Sequence, residues 1–250
     1  FVQRFYIRSS IIGNSRRADI TALNIGSSDN SMKLSAQGFV AYGDKGISAF
    51  RADIGDMGIS SQMIKAITGG TNGTGGATDV AARLGDIGFR GFVRGKDDRY
   101  SMGGRVHTEA GDADIDADIS KTDFGAKAAF TDINLQRILD DTRYGKASAN
   151  IAVSGTMHRW KPGRVEAKGT VAALDFNKYK YTNITIDGAY NAKGAEGRIA
   201  MDDPNGAIDI RGRLGTGAKT FADITARMDG LALSALNLTD RLPGARIYGD

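Results

Sequence analysis

Apolar and polar residues alternate through most of this chain, and this pattern constrains the fold more than any other feature. The stretch Gly111–Ser120, GDADIDADIS, is the clearest case. A period of two residues is typical of a strand with one dry face and one wet face. An EF-hand calcium loop would need glycine after its third acidic position, where Ala117 stands. We therefore interpret the four aspartates as the solvated face of a strand: Asp112, Asp114, Asp116 and Asp118.

The same alternation recurs along the chain between turn signals. In RADITALNIG the expected inward residues change parity once, from Ala18, Ile20 and Ala22 to Leu23 and Ile25. Turns such as DDPNG at Asp202–Gly206 combine proline, which fixes φ, with glycine, which tolerates positive φ. Strands joined by short turns are antiparallel neighbours. The sequence thus predicts a mainly β fold, an elongated and curved antiparallel sheet with solenoid-type repeats and a few short helices.

Three segments have the spacing of short helices. Ser60–Thr68 begins with a serine N-cap candidate, Asn134–Asp141 places its apolar residues on one stripe, and Leu233–Leu242 is a third candidate. The tract Gly69–Thr78, GGTNGTGGAT, lacks the lysine that ends a phosphate-binding loop. We predict a flexible linker there, with a sub-boundary of the domain at residues 69–78.

A loose repeat joins three parts of the chain. Each copy begins with the apolar end of a strand. Two apolar residues separated by one other residue follow, and then the polar start of a helix. The copies are IGDMGISSQMIKAI, FTDINLQRILDD and RMDGLALSALNL, which align Met57 with Ile133 and Leu231, and Ile59 with Leu135 and Leu233. Units that cannot bury their own apolar faces must stack on one another. We expect residues 1–250 to be a fragment of one elongated repeat β-domain, with units ending near 54–67, 132–141 and 228–240.

Composition excludes several classes of protein. The chain of 250 residues has no cysteine, which excludes disulfides, thiolate nucleophiles and cysteine metal sites. Its 33 basic and 29 acidic residues are spread along the sequence, which argues against a nucleic-acid partner. There is no apolar run of about 18 residues, as a membrane-spanning helix would need. The sequence opens within an apparent strand and shows no signal peptide, so we expect a segment of a longer protein.

Catalytic chemistry is not indicated by the sequence. His107 and His158 lie in strand-like sequence with no repeated partner, which favours half-exposed strand positions over metal ligation. The carboxylate pairs Asp202–Asp203 and Asp140–Asp141 fall in a turn and at a helix end, where hydrogen bonding and exposure explain them. We predict no enzyme, no cofactor and no metal site. Trp160 is expected to be a loop aromatic that covers the core, with a membrane-surface anchor as the alternative.

Part of the sequence resembles a known family. The strand YTNITIDGAY at Tyr181–Tyr190 follows DFNKYK, another strand ends at Asp202–Gly206, and Asp132–Gly155 runs from a strand end through a short helix to a return strand. These features resemble the periplasmic repeats of the TamB (translocation and assembly module) and AsmA-like family, over most of the chain outside the glycine-rich tract. The resemblance implies a sheet bent into a groove, a periplasmic location and an inner-membrane anchor upstream. It also implies an outer-membrane β-barrel assembly protein (TamA-like) as partner, bound through regions outside this chain.

A curved sheet with one dry face must either cover that face or use it. We expect a segment of an envelope-spanning protein that binds or conducts phospholipid acyl chains along an apolar groove and supports outer-membrane biogenesis. The groove candidates, read from strand parity, are Ile184, Ile186, Tyr190, Ile199, Met201, Ile208, Ile210, Ile224, Ala226 and Met228. The alternative is an extracellular or surface β-solenoid scaffold or adhesin with a closed core. A third reading, a fragment of a transmembrane β-barrel, predicts aromatic belts that are not evident in the sequence.

Overall fold

The chain folds into one open antiparallel sheet whose strands follow chain order from the first to the last. The structure, a computed structural model, describes residues 4–67, 77–158, 161–216, 220–239, 241 and 244–250. The first seven strands are β1 (Phe5–Asn14), β2 (Arg17–Ser27), β3 (Met32–Gly43), β4 (Gly46–Ile59), β5 (Ile87–Lys96), β6 (Arg99–Thr108) and β7 (Gly111–Ile119). The others are β8 (Asp123–Asn134), β9 (Tyr144–His158), β10 (Lys161–Phe176), β11 (Tyr179–Asn191), β12 (Gly194–Asp203), β13 (Gly206–Gly215), β14 (Phe221–Ala232) and β15 (Arg246–Gly249). Short helices occur at α1 (Ser61–Ile67), α2 (Ala77–Leu84) and α3 (Leu135–Leu139).

The predicted mainly β, antiparallel sheet with a few short helices is confirmed. The GDADIDADIS stretch forms β7, as its alternation predicts. Arg105 on the neighbouring β6 donates two hydrogen bonds to Asp114, each 2.9 Å long. Arg99 pairs with Asp118 at 3.3 Å. The aspartates therefore lie on a polar face, where Arg105 and Arg99 of the adjacent strand pair with two of them.

The hairpin between β12 and β13 shows how a local turn sets the register. Asp203 pairs with Gly206, so two residues form the turn. Gly206 has a φ of 132°, and a Cβ there would lie 2.5 Å from the Cα of Leu231, so the position requires glycine. From this turn the pairing continues with Met201 opposite Ile208. The turn therefore places the apolar residues of both strands on the same face.

Two of the three predicted helices are confirmed. α1 lies within the predicted Ser60–Thr68, and α3 lies within the predicted Asn134–Asp141. The glycine-rich tract Gly69–Thr78 lies outside the described residues up to residue 76, as does Trp160. The last two residues of the glycine-rich tract, Ala77 and Thr78, begin α2, so the prediction of a flexible linker is wrong for these two residues. α2 contacts α1.

The third predicted helix, at Leu233–Leu242, is wrong over its described residues, 233–239 and 241. Residues 233–237 form hydrogen-bonded turns instead. Asn237 adopts a left-handed conformation with a φ of 53°. A helix cannot continue through this conformation, so the chain makes a single turn and stops there. Its amide bonds to the carbonyl of Ser234, and the next amide bonds to the carbonyl of Leu233, as at the C-terminus of a helix.

The chain divides into two compact units. Unit 1 comprises Phe1–Ser120 and Arg137–Asp140, and unit 2 comprises Lys121–Gln136 and Asp141–Asp250. Buried apolar side chains of unit 1 include Met63, Ile64 and Phe89. The core of unit 2 contains a cluster formed by Tyr181, Met201, Leu231 and Leu236.

Bulges interrupt the ladders of unit 1. The β2–β3 register shifts between Ile20 and Leu23. An extra residue in one strand bends that strand and changes the parity of the residues after it. Here the shift keeps Ile20 and Leu23 on one face, while Ala22 pairs with Ser10 on the other. The predicted change of parity is confirmed, and the inward position predicted for Ala22 is wrong.

Candidate functional site

Unit 2 has one sheet face that is apolar from strand to strand, which we call apolar face 2. Opposed residues of an antiparallel pair share a face, so the register defines its cross-strand rows. Two rows run from β8 to β14 through Phe130, Ala149, Val171, Ile184, Met201, Ile208 and Met228, and through Ala128, Ile151, Gly169, Ile186, Ile199, Ile210 and Ala226. The next two run through Ala126, Val153, Ala167, Gly188, Gly197, Gly212 and Ile224, and through Phe124, Gly155, Val165, Tyr190, Ala195, Leu214 and Ala222. No position in these rows carries a charged side chain.

The opposite face of the same strands is polar and rich in ion pairs. Arg198 and Arg211 contact Asp209, with nitrogen–oxygen distances of 2.7 and 3.3 Å. Hydrogen bonds from these two guanidinium groups lower the pKa of Asp209 to about 2. Arg164 pairs with Glu166 at 2.8 Å on the same face. Within the four rows, strand parity thus separates uncharged positions from the charged positions of the opposite face.

One end of apolar face 2 is covered by residues 231–239, which we call the cap. Leu236 in the cap is 0% exposed and belongs to the same core cluster as Met201, which is 9% exposed. The Tyr181 hydroxyl donates to the carbonyl oxygen of Leu236 at 2.7 Å. The side-chain amides of Asn177 and Asn237 each donate to the backbone carbonyl of the other, at 2.6 and 3.1 Å. The cap is therefore fastened by apolar packing and by hydrogen bonds to distant strands.

Asp203 is a buried carboxylate at the capped end. It accepts hydrogen bonds from the backbone amide and hydroxyl of Thr182, both at 3.0 Å, and from the Tyr179 hydroxyl. Burial raises the pKa of this carboxyl, but these bonds and one from the Asn205 amide outweigh burial and hold the pKa below its usual range. Asp202, the other member of the predicted carboxylate pair, is exposed. Asp203 therefore has a structural role in joining the β12–β13 turn to β11.

The other end of apolar face 2 is open to solvent. Ile199 is 49% exposed, Tyr190 is 58% exposed and Ile224 is 66% exposed. A shallow strip without side chains crosses this end, where the register aligns Gly188, Gly197 and Gly212. Contiguous exposed apolar surface of this kind is typical of interaction sites.

Unit 1 has a similarly built surface, apolar face 1. Its rows cross β1 to β7, and the polar side chains in them, Ser9, Ser27 and Thr108, are uncharged. Two of the rows are Ile7, Ile25, Leu34, Met57, Phe89, Val106 and Ala113, and Ile11, Ile20, Gly38, Ala52, Val93, Met102 and Ala117. Exposed apolar residues of this face include Ile7 and Ile11 on β1. The uncharged face is thus a property of each unit by itself.

All ten residues predicted from strand parity lie on apolar face 2. The first row contains Ile184, Met201, Ile208 and Met228, the second contains Ile186, Ile199, Ile210 and Ala226, and the other two contain Ile224 and Tyr190. Met201 is a core residue beneath the cap, whereas the exposed members lie toward the open end. Sequence reasoning missed the contribution of β8–β10, for example Phe130 and Val165. The same parity analysis of those strands, which also alternate, would have found them.

The histidines and carboxylates outside the apolar faces do not gather into a single site among the described residues. His107 on β6 pairs with Asp112 across the strands, and His158 ends β9. Within the described residues, no group of three or more histidine, cysteine, aspartate or glutamate side chains could hold a metal ion. A cleft of about 490 Å³ on the polar side of unit 1 includes Lys33 and Asp56, which pair with each other at 2.6 Å.

Membrane-spanning helices and similarity to known proteins are two further sources of evidence on function. In the part of the chain that the structure describes, no helix combines the length and the apolarity needed to cross a membrane. Comparison with protein-family models, curated proteins and solved structures finds no significant match to this chain. The function must therefore be argued from the surfaces that the sheet presents.

Proposed function

We propose that this chain binds phospholipid acyl chains along the apolar faces of its open sheet. The observation that carries the proposal is the set of uncharged cross-strand rows on apolar face 2, with exposed aliphatic residues such as Ile186 and Ile199 at the open end. An ordinary core would bury such residues under a second layer of structure. The cap covers one end of this face, so the exposed rows are left for a ligand.

The energetics favour a long apolar ligand. Each methylene group transferred from water to an apolar surface contributes about 0.8 kcal/mol, so half a lipid tail contributes several kcal/mol before entropic costs. The exposed part of the face is shallow and free of charged side chains. A deep pocket would hold one lipid tightly, whereas a shallow uncharged surface lets an acyl chain slide from row to row. The surface therefore suits conduction as well as binding.

The sequence resemblance supplies the wider setting of this proposal. Under this proposal, the chain is a periplasmic segment of a TamB- or AsmA-like protein with an inner-membrane anchor upstream. The protein conducts phospholipid between the inner and outer membranes, supports outer-membrane biogenesis and docks to a TamA-like assembly protein through regions outside this chain. The absence of cysteine is consistent with an oxidising compartment.

Site-specific photo-crosslinking tests acyl-chain binding directly. A photoreactive amino acid is placed singly at Ile186 and at Ile224, both exposed on apolar face 2. Matched controls carry it at Thr185 and Thr225, the adjacent residues on the opposite face. The purified chain is irradiated with tail-labelled phospholipid. We expect lipid adducts from the isoleucine positions and few or none from the threonine positions.

The same experiment separates the alternative function. Equal labelling from both faces, or none from either, would overturn acyl-chain binding. Crosslinks only within the protein, at positions that are exposed in a monomer, would favour the scaffold or adhesin alternative, in which this face is covered. Met201 is a poor reporter because the cap already buries it.

A further inference from the structure

The turns at the open end of apolar face 2 are basic. The hairpins β9–β10 and β11–β12 lie at this end, and each has an exposed lysine, Lys161 and Lys193. Lys121 lies in the segment that enters β8, beside the end of β9, because the Met157 amide bonds to the carbonyl of Thr122 at 2.7 Å. Among the described residues of these turns there is no aspartate or glutamate.

Three acidic side chains at this end contact residues other than the two hairpin lysines. Arg164 pairs with Glu166 at 2.8 Å and with Glu196 at 3.6 Å. Asp123 accepts a hydrogen bond from the Thr122 hydroxyl at 2.7 Å. None of these contacts involves Lys161 or Lys193, the lysines of the two hairpins.

The turns at the capped end have a different charge pattern. The β8–β9 turn contains Asp141, which pairs with Arg143 at 2.6 Å. The β12–β13 turn follows Asp202 and the buried Asp203, and the β10–β11 turn contains Lys178. Carboxylates are thus present in or next to two of these turns. At the open end, lysine is the charged residue among the described residues of the β9–β10 and β11–β12 hairpin turns.

The lysines border the most exposed part of the apolar face. Tyr190 precedes Lys193 in the same hairpin and lies opposite Val165 of β10. Neighbouring hairpins of a sheet are separated by two strand spacings, about 10 Å, so Lys161 and Lys193 can both approach one headgroup. A tyrosine between apolar surface and charged residues is typical of the boundary between acyl chains and headgroups.

We infer that the open end of apolar face 2 selects phospholipids with a net negative headgroup, whose phosphate is bound by Lys161 and Lys193 while an acyl chain lies on the rows behind Tyr190. This inference rests on the proposed function and specifies its ligand. Charge complementarity between the turns and the headgroup carries it, because the apolar rows alone would not distinguish an anionic lipid from a zwitterionic one.

Lipid transfer from vesicles tests this selectivity. The purified chain is mixed with vesicles of phosphatidylcholine or phosphatidylglycerol that contain a trace of the same lipid with a labelled tail, and the label bound to protein is measured after flotation. We expect a preference for phosphatidylglycerol that weakens at high salt. The double variant Lys161→Glu with Lys193→Glu should reduce phosphatidylglycerol transfer by roughly fivefold per lysine at low salt. The matched control is Lys178→Glu with Lys180→Glu, the same charge change at exposed positions of the capped end.

Each outcome decides between the two proposals. Loss of preference in the open-end variant, with transfer of phosphatidylcholine retained, supports the inference. Equal transfer of both lipids by the unmodified chain, or equal effects of the two double variants, overturns the inference and leaves acyl-chain binding intact. No transfer of either lipid overturns both.

Discussion

Ile186 and Ile199 lie directly opposite each other across β11 and β12, on the same face of the sheet, and both are exposed. Neither belongs to the core cluster beneath the cap. Substitutions at these two positions can therefore test lipid binding without a large change in stability, because a substitution at an exposed residue has little effect on folding. The adjacent Thr185 lies on the opposite face and pairs with Ala200. The two faces can therefore be compared one residue apart.

A charge in the exposed part of apolar face 2 should abolish acyl-chain binding. Ile186→Asp places a carboxylate in the second row, where a bound methylene chain would desolvate it. We expect lipid transfer to fall at least tenfold, with a change of about 1 kcal/mol or less in the free energy of unfolding. Thr185→Asp puts the same charge on the opposite face and should leave transfer unchanged. If both variants transfer lipid as the unmodified chain does, apolar face 2 is not the binding surface.

The cap should contribute strongly to the stability of unit 2. Leu236→Ala removes a side chain that is 0% exposed and leaves a cavity beside Met201 and Tyr181. We expect a loss of about 2–5 kcal/mol in the free energy of unfolding, measured by urea denaturation. Leu238→Ala is the control, because Leu238 is 52% exposed in the same segment and should change stability by about 0.5 kcal/mol or less. Equal effects of the two variants would mean that the cap does not pack as described.

Strand parity was enough to place the ten predicted residues on one face, but not to separate core from open surface. Ile199 and Met201 have the same parity and lie two residues apart, yet one is exposed and the other is buried. The difference arises from Leu236, whose carbonyl accepts a hydrogen bond from Tyr181, 55 positions earlier in the chain. Contacts over such a separation leave no periodic signal in the sequence.

The helix predictions show a similar limit. Apolar spacing predicted α1 and α3, but the same spacing at Leu233–Leu242 failed because Asn237 adopts a positive φ and bonds to Asn177. Asparagine tolerates this conformation without requiring it, so the sequence leaves both outcomes open. Long-range partners decide such positions, whereas alternation decides which face a strand residue occupies.

Loss of the buried carboxylate at the capped end should destabilise unit 2. Asp203→Asn replaces one acceptor oxygen by an amide nitrogen, so the amide and hydroxyl of Thr182 or the Tyr179 hydroxyl and the Asn205 amide lose their acceptor. We expect a loss of about 2–3 kcal/mol in the free energy of unfolding. Asp202→Asn, at the exposed neighbouring position, should have little effect. Similar stability of the two variants in thermal or urea denaturation would show that the hydrogen bonds to Asp203 contribute little.

The ion-pair network on the polar face should make stability depend on pH in the acid range. The pKa of Asp209 is lowered to about 2 by Arg198 and Arg211, whereas an aspartate in the unfolded chain has a pKa of about 3.9. Above the unfolded value both states are ionised and the network contributes fully. As the pH falls from about 3.9 toward 2, the unfolded state binds the proton first, so this contribution is progressively lost.

Asp209→Asn should therefore flatten the fall in unfolding free energy between about pH 5 and pH 2, since the substituted group no longer titrates. Asp223→Asn is the matched control, at an exposed aspartate of the same face, opposite Arg213. Urea denaturation at a series of pH values gives the two slopes, and NMR titration of the Asp209 carboxyl gives its pKa directly. A carboxyl that titrates near 3.9, together with an unchanged slope in Asp209→Asn, would mean that Arg198 and Arg211 do not hold this carboxylate in solution. A midpoint near 2 with a flatter slope would place the coupling in the folded sheet, because the unfolded chain has no register to bring the three side chains together.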